Sequence, residues 1–225
     1  MSRWGMVVDL RKCIGCNTCS AGCSQSNNIP NYFWRKVNDC GISENSDRQR
    51  LFLPMSCMHC SEAPCLEVCP TTATYRRPDG IVDINYRLCV GCGYCILACP
   101  YKARSILHHG SNFGSHKELQ KRAIDDSDVD RIGVCTKCNF CLPRIDSGLT
   151  RGLSPGNDPE ASPMCVISCS SNALYFGDID DPNSIVSKLI QENKTTRLHE
   201  QLETAPSAYY IWIPGWHGTN CLTDK

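Results

Sequence analysis

Four runs of cysteine decide what this chain of 225 residues can fold into. Cys89, Cys92, Cys95 and Cys99 read C-x2-C-x2-C-x3-C and are followed by Pro100. Cys13, Cys16, Cys19 and Cys23 repeat that spacing, with Ser24 where the proline would stand. Cys57, Cys60, Cys65 and Cys69, followed by Pro70, keep the pattern with two extra residues in one gap. The spacing has a physical reason. Three thiolates from one tight loop reach three corners of a cubane iron-sulfur cluster, while the fourth points away along the next helix to a neighbouring cluster. The last run is less regular: Cys135, Cys138 and Cys141, a long polar gap, then Cys165 and Cys169, which makes five cysteines for four places. Cys165 and Cys169 reproduce the final gap of the other runs, so one of the first three is surplus.

The crossing rule pairs the runs. The middle two are contiguous and close on each other, so Cys57, Cys60, Cys65 and Cys99 share one 4Fe-4S cluster and Cys89, Cys92, Cys95 and Cys69 share another. The first and last runs are left to find each other. Cys13, Cys16, Cys19 and Cys169 then hold a third cluster, and Cys23 and Cys165 a fourth with two of Cys135, Cys138 and Cys141. Gly15 and Gly91, each two residues after the first cysteine of its run, suit a loop curling closely round sulfide. An alanine recurs four residues past the crossing cysteine, as Ala73, Ala103 and Ala173, where backbone must pack closely.

Composition excludes the competing readings of so many cysteines. The chain has 19, which would suit a disulfide scaffold, but those are short secreted chains, and Met1 to Leu10 has neither the length nor the apolar core of an export signal. Zinc sites give paired CxxC units rather than four-cysteine runs ending in Cys-Pro. The formal net charge is zero, so there is no electrostatic footprint for nucleic acid. The apolar runs fall far short of the roughly 20 residues of a membrane helix, and the chain is expected to be soluble. Only 41% of residues are hydrophobic with cysteine included. The aliphatic core must therefore be thin, and folding must lean on metal ligation.

Between the runs the signals are local. Met6 to Leu10 predicts a strand, expected to pair with another from Leu174 to Gly177. The turn Pro78-Asp79-Gly80 predicts a hairpin joining Thr74-Tyr75-Arg76 to Ile81 to Ile84. Asn27 to Leu53 reads as polar and irregular, with Cys40 isolated and inert in it. Leu107 to Gly133 reads as a surface excursion, its His108 and His109 solvated. Leu142 to Met164, rich in glycine and proline, reads as a long loop between ligands. Asp181 followed by Pro182 predicts a helix N-terminus, with Ile185, Val186, Leu189 and Ile190 as its apolar stripe. The aromatic stretch Ser207 to Pro214 is strand-like and serves either as a docking arm or as packing on its own domain. Cys221 is expected to be free, and Lys12, Lys102, Arg104 and Lys137 flank ligands.

The chain resembles the four-cluster, ferredoxin-like electron-transfer subunits of the molybdopterin oxidoreductases, from Gly5 to about Ser184. The resemblance is carried by Gly5-Met6-Val7-Val8-Asp9 leading into Cys13-Ile14-Gly15-Cys16, by Lys137-Cys138-Asn139-Phe140-Cys141 before Cys165, and by Gly177-Asp178 with Asp181-Pro182. Because the family's last motif begins Lys-Cys-x-x-Cys, the resemblance selects Cys138 and Cys141 as the ligands and leaves Cys135 surplus. Ser170 departs from the proline common after the last cysteine, which puts a turn in doubt, and the gap before Cys165 is longer than in compact relatives. The resemblance implies an α+β fold of two nested ferredoxin-like units with small hairpins and short helices around four 4Fe-4S clusters. Residues 54–106 would form the inner unit, 1–53 with 133–180 the split outer unit, 107–132 the excursion, and 181–225 a C-terminal helix and docking tail. It implies single-electron relay between a large molybdenum or tungsten pterin subunit, met near the Cys13 cluster, and a second partner met at the split unit's second cluster or beyond. That partner would be a quinone-linked membrane subunit, a cytochrome or a soluble carrier. No catalytic residue is expected on this chain. The expected compartment is the cytoplasm, or export in folded form with a signal-bearing partner. The alternative is a free-standing polyferredoxin carrier.

Overall fold

The computed structural model describes residues 2–29, 34–42, 49–107 and 131–214. Helices and strands are mixed and short, an α+β arrangement without a large layered core. Its largest sheet is built on β1 (Trp4–Asp9), every residue of which is buried. β1 pairs antiparallel with β8 (Leu174–Asp178), from Trp4 opposite Asp178 to Val8 opposite Leu174. On its other side it pairs in parallel with β10 (Ala208–Ile211), which in turn takes up β9 (Thr195–Thr196). Period-2 alternation divides the faces of β1. Trp4, Met6 and Val8 point into the cysteine-containing core, and Val7 points the other way onto Val186 and Ile211.

The expected pairing of the N-terminal strand with Leu174 to Gly177 is thus present, as is the hairpin of β4 (Thr74–Arg76) and β5 (Val82–Ile84). Other expectations need correction. The polar stretch after Asn27 contains β2 (Lys36–Ile42) and β3 (Arg50–Met55), an antiparallel pair whose inner side chains Leu51 and Leu53 are buried. The segment read as a long loop contains helix α4 (Leu142–Thr150), which buries Leu142 and Ile145, and a 3-10 turn at Pro159–Ala161 packed against it. The helix after Asp181 starts later than expected. α6 (Ile185–Glu192) is capped by Ser184, whose Oγ accepts the Ser187 N–H at 3.1 Å.

The aromatic tail is not a docking arm as far as Pro214. As β10 it lies inside the sheet, with Tyr210 buried and its hydroxyl donating to Pro54 O at 3.2 Å. The physical reason is that β1 has an open edge opposite β8, and an apolar strand satisfies it. Just before β10, Ser61 N–H donates to Ala205 O (2.9 Å), Glu62 N–H to Thr204 O (3.1 Å) and Ser207 N–H to Met58 O (2.8 Å). Trp216, Cys221, His108, His109 and most of the predicted surface excursion lie outside the described residues.

The internal repeat extends to the backbone. In three motifs a one-turn helix ends just before the crossing cysteine: α2 (Pro64–Glu67), α3 (Tyr94–Leu97) and α5 (Met164–Ile167). Each crossing cysteine then accepts a hydrogen bond at 3.2 Å, from Thr72 N–H to Cys69 O, Lys102 N–H to Cys99 O and Asn172 N–H to Cys169 O. Thr72, Lys102 and Asn172 are all left-handed, with φ of 52°, 49° and 50°. The turn that Ser170 put in doubt is therefore formed. The first motif differs. α1 (Thr18–Ser26) runs on through Cys23, which is why serine rather than proline stands at Ser24.

Candidate iron-sulfur sites

The four expected thiol sets are each gathered in space. Cys13, Cys16, Cys19 and Cys169 line one cavity together with Ile14, Val37 and Pro54. Cys69, Cys89, Cys92 and Cys95 line a second, shared with Thr74 and Cys135. Around Cys60, the thiols of Cys57, Cys65 and Cys99 are close enough to act on it electrostatically. Around Cys23, those of Cys138, Cys165 and Cys141 do the same. Among the described residues no three His, Cys, Asp or Glu groups converge as a single metal ion requires. The donor sets fit a larger group with several atoms between the sulfurs.

Loop geometry explains how each set is presented. Gly15 and Gly91 have φ of +70° and +67°, a region in which a side chain is strained. Their lack of a Cβ also admits neighbours rather than sulfide. A Cβ on Gly91 would stand 2.1 Å from Gly133 O, and one on Gly15 2.5 Å from the Phe52 ring. Backbone N–H groups point at sulfur: Thr74 at Cys69 (3.4 Å), Ala173 at Cys169 (3.3 Å), Phe140 at Cys138 (3.4 Å) and Met164 at Cys141 (3.5 Å). Such bonds stabilise negative charge on sulfur. Asn27, one helical turn beyond Cys23, places Nδ2 3.7 Å from both Cys23 Sγ and Cys141 Sγ, a link that its i+4 position on α1 makes readable.

Charge is the second signature. Arg35 and Lys137 are each 1% exposed and Arg104 is 5% exposed, and among the described residues none of them pairs with a carboxylate. Burying a cation without an anion costs several kcal/mol. Their partners are sulfur, backbone carbonyls and, for Arg104 Nη1, the Thr74 hydroxyl at 3.1 Å. Arg104 Nη2 donates to Cys65 Sγ at 3.0 Å and its Nη1 lies 3.9 Å from Cys135 Sγ. Arg35 Nη2 lies 3.6 Å from Cys165 Sγ, and Lys137 Nζ donates to Cys138 O at 2.8 Å and also to Val82 O. The sequence pointed to Arg104 and Lys137 as ligand neighbours. Arg35, which is 12 positions past Cys23, carried no local signal.

Burial pushes the Cys19 thiol up to about 11 and those of Cys60 and Cys138 up to about 12. These sulfurs are therefore neutral thiols at pH 7 unless a metal group takes their protons. His59 is buried and stacked on Phe140 at 3.7 Å between ring centroids, and its Nδ1 accepts the Val82 N–H at 3.1 Å. Burial, then Lys137, Arg104 and Arg35, hold its pKa well below the usual range. The ring is neutral packing between cations and was not singled out in the sequence.

The surplus cysteines separate clearly. Cys40 sits half-buried in β2, away from every set, and is disulfide-bonded rather than inert and free. Cys135 is 1% exposed and lies against the Cys89 set.

Residues 48–113 match the family model of a 4Fe-4S dicluster domain, which spans the two middle motifs. Over most of its length the chain is also similar to components of larger complexes. It is 39% identical to a Halobacterium salinarum protein named as the iron-sulfur subunit of a dimethyl sulfoxide reductase, over 94% of this chain and 79% of the relative. Against a subunit of the selenate reductase of Mesobacillus selenatarsenatis the identity is 38%, over 93% and 72%. Against a component of the polysulfide reductase of Wolinella succinogenes it is 36%, over 93% and 94%. With its gathered thiols and buried cations, this protein belongs to the family of ferredoxin-like 4Fe-4S subunits that carry electrons in molybdopterin oxidoreductases.

Proposed function

We propose that sixteen of the cysteines hold four 4Fe-4S clusters in a line, so that the chain relays single electrons from one end of itself to the other. The observation that carries this reading is the alternation of thiol sets with buried cations. Arg35 acts on Cys19 of the Cys13 set and on Cys165 and Cys138 of the Cys23 set. Cys138 in turn feels Cys57, so the Cys23 set adjoins the Cys57 set. Arg104 then spans from Cys65 towards Cys135 and the Cys89 set. When bound, each cluster supplies a reversible one-electron couple. The chain's residues supply ligation through Cys13, Cys16, Cys19 and Cys169; Cys23, Cys138, Cys141 and Cys165; Cys57, Cys60, Cys65 and Cys99; and Cys69, Cys89, Cys92 and Cys95. Residues 54–106 then form a unit within the unit split between 1–53 and 133–180, as the β1 to β8 pairing supports.

The ends of the line follow from exposure. All four thiols of the Cys23 set are buried, which supports an interior station there and, of the two places expected from sequence for the second partner, favours the one beyond it. Cys16 and Cys92 are exposed, and each shares its cavity with an exposed apolar side chain. Ile14, in the cavity with Cys16, is 63% exposed, and Val90, in the cavity with Cys92, is 65% exposed. We assign the Cys16 end to the molybdenum or tungsten pterin subunit and the Cys92 end to the second electron partner. Among the described residues no helix is long and apolar enough to cross a membrane. A free-standing carrier is set aside because the relatives are subunits of named reductases.

Iron analysis of anaerobically isolated complex should give about 16 irons per chain. Purification without a tag should bring down a subunit containing molybdenum or tungsten. Iron near half that value, or a lone chain free of both metals, would sink the proposal.

A further inference from the structure

The cavity of the Cys89 set has more thiols than a cubane has corners. Cys135 lines it beside Cys69, Cys89, Cys92 and Cys95. Its Sγ lies 3.4 Å from Cys95 Sγ, and its backbone N–H points at Cys89 Sγ at 3.5 Å. Cys135 sits in β7 (Cys135–Thr136), paired with β6 (Ser105–Ile106) so that Ile106 faces Cys135 in register. The thiol is therefore delivered by a sheet, whereas Cys95 is delivered by the one-turn helix α3. Arg104 Nη1, at 3.9 Å from Cys135 Sγ, gives the site a cation on the side of the fifth sulfur.

Two sulfurs 3.4 Å apart are close enough to compete for one ligand position. We propose that Cys135 is a reserve ligand of this cluster, able to take the corner held by Cys95. This inference rests on the ligand assignment proposed above. The exchange balances without an oxidant: the iron bond to Cys95 sulfur breaks, the bond to Cys135 sulfur forms, and the Cys135 thiol proton passes to the departing Cys95 sulfur across the 3.4 Å contact. No electron changes hands. The position held by Cys95 thus has two buried thiols to serve it, in the same cavity as the exposed Cys92.

Alanine variants in the intact complex test this, because alanine leaves no oxygen to stand in as a ligand. Iron content and the electron paramagnetic resonance of oxidised protein read the outcome, and iron in the other three clusters reports that each variant has folded. Cys95→Ala and Cys135→Ala should each keep a full complement of iron and show no 3Fe-4S signal. The double variant Cys95→Ala/Cys135→Ala should lose iron at one cluster, as should Cys92→Ala, whose corner has no second thiol. Loss of iron in Cys95→Ala equal to that in Cys92→Ala would overturn the reserve role while leaving the ligand assignment intact. If Cys135→Ala alone lost the cluster, Cys135 would be the resident ligand and the proposal would again fall. Full iron in both Cys92→Ala and the double variant would instead overturn the ligand assignment itself.

Discussion

A buried guanidinium that meets sulfur instead of carboxylate marks where negative charge must reside, and Arg104 is the clearest case. Its positive charge favours the reduced, more negative state of whatever the Cys65 sulfur ligates. Arg104→Gln should lower the potential of that cluster by roughly 60 mV or more, a tenfold change in a one-electron equilibrium. A redox titration followed by electron paramagnetic resonance would read the shift. Arg151→Gln, on the surface beside Glu160, should move nothing. Asp9 makes a different point. Burial pushes its carboxyl up, yet the Arg11 side chain, donating from Nε and Nη2 at 2.8 Å each, outweighs burial and holds it below the usual range. The stability it contributes is present above the ordinary carboxylate pKa and is lost as pH falls through the depressed value. Asp9→Asn should therefore cost about 1–3 kcal/mol at neutral pH. In thermal unfolding the gap from wild type should narrow on acidification, and a constant gap would show that shape rather than charge matters.

At the scale of elements, the difference between α1 and the other motif helices makes opposite predictions for one substitution. Ser24→Pro falls within α1 and should cost about 3 kcal/mol, visible as a lowered melting temperature and lost iron. Ser170→Pro enters the turn that already accommodates Pro70 and Pro100, and should leave iron content unchanged. Equal damage from both would refute the reading of α1. That the cysteine runs gather in space was legible because their spacing is a local pattern, and β1, β4 and β5 because alternation and a Pro-Asp-Gly turn are local too. Partners that come from far away leave no such local trace. Arg35 reaches Cys165 across 130 positions, and only the folded chain shows that they meet. β2 and β3 looked irregular because their exposed faces are polar, with Lys36, Asn38, Asp39 and Arg50 masking buried Leu51 and Leu53. The aromatic strand β10 was visible as a strand, but its fate depended on an open edge of β1 that no local pattern records.

For the whole molecule, the aliphatic core is threaded through the cysteines proposed as ligands, which would couple cofactor and fold. Chelation of iron under anaerobic conditions should abolish cooperative unfolding and near-ultraviolet dichroism, since the core is interleaved with buried thiols that would be left facing one another without metal. Retention of a sharp thermal transition in iron-free protein would contradict that dependence. The C-terminal segment is the other global tie. Thr204 to Ser207 bonds to Met58, Ser61 and Glu62, and the hydroxyls of Tyr101 and Thr204 share a hydrogen bond of 2.5 Å, so removing residues 204–214 should release the first middle motif as well as open the sheet. Limited proteolysis should then cut between Cys57 and Cys65, a region the intact protein protects.

The register that sets Met6 opposite Ala208 joins strands that are 202 positions apart along the chain. Pairings this distant are slow to form, and on the ribosome this one has to wait for residues that do not yet exist. Until β10 is made, the edge of β1 and the backbone of Met58, Ser61 and Glu62 lack the partners that the folded chain gives them.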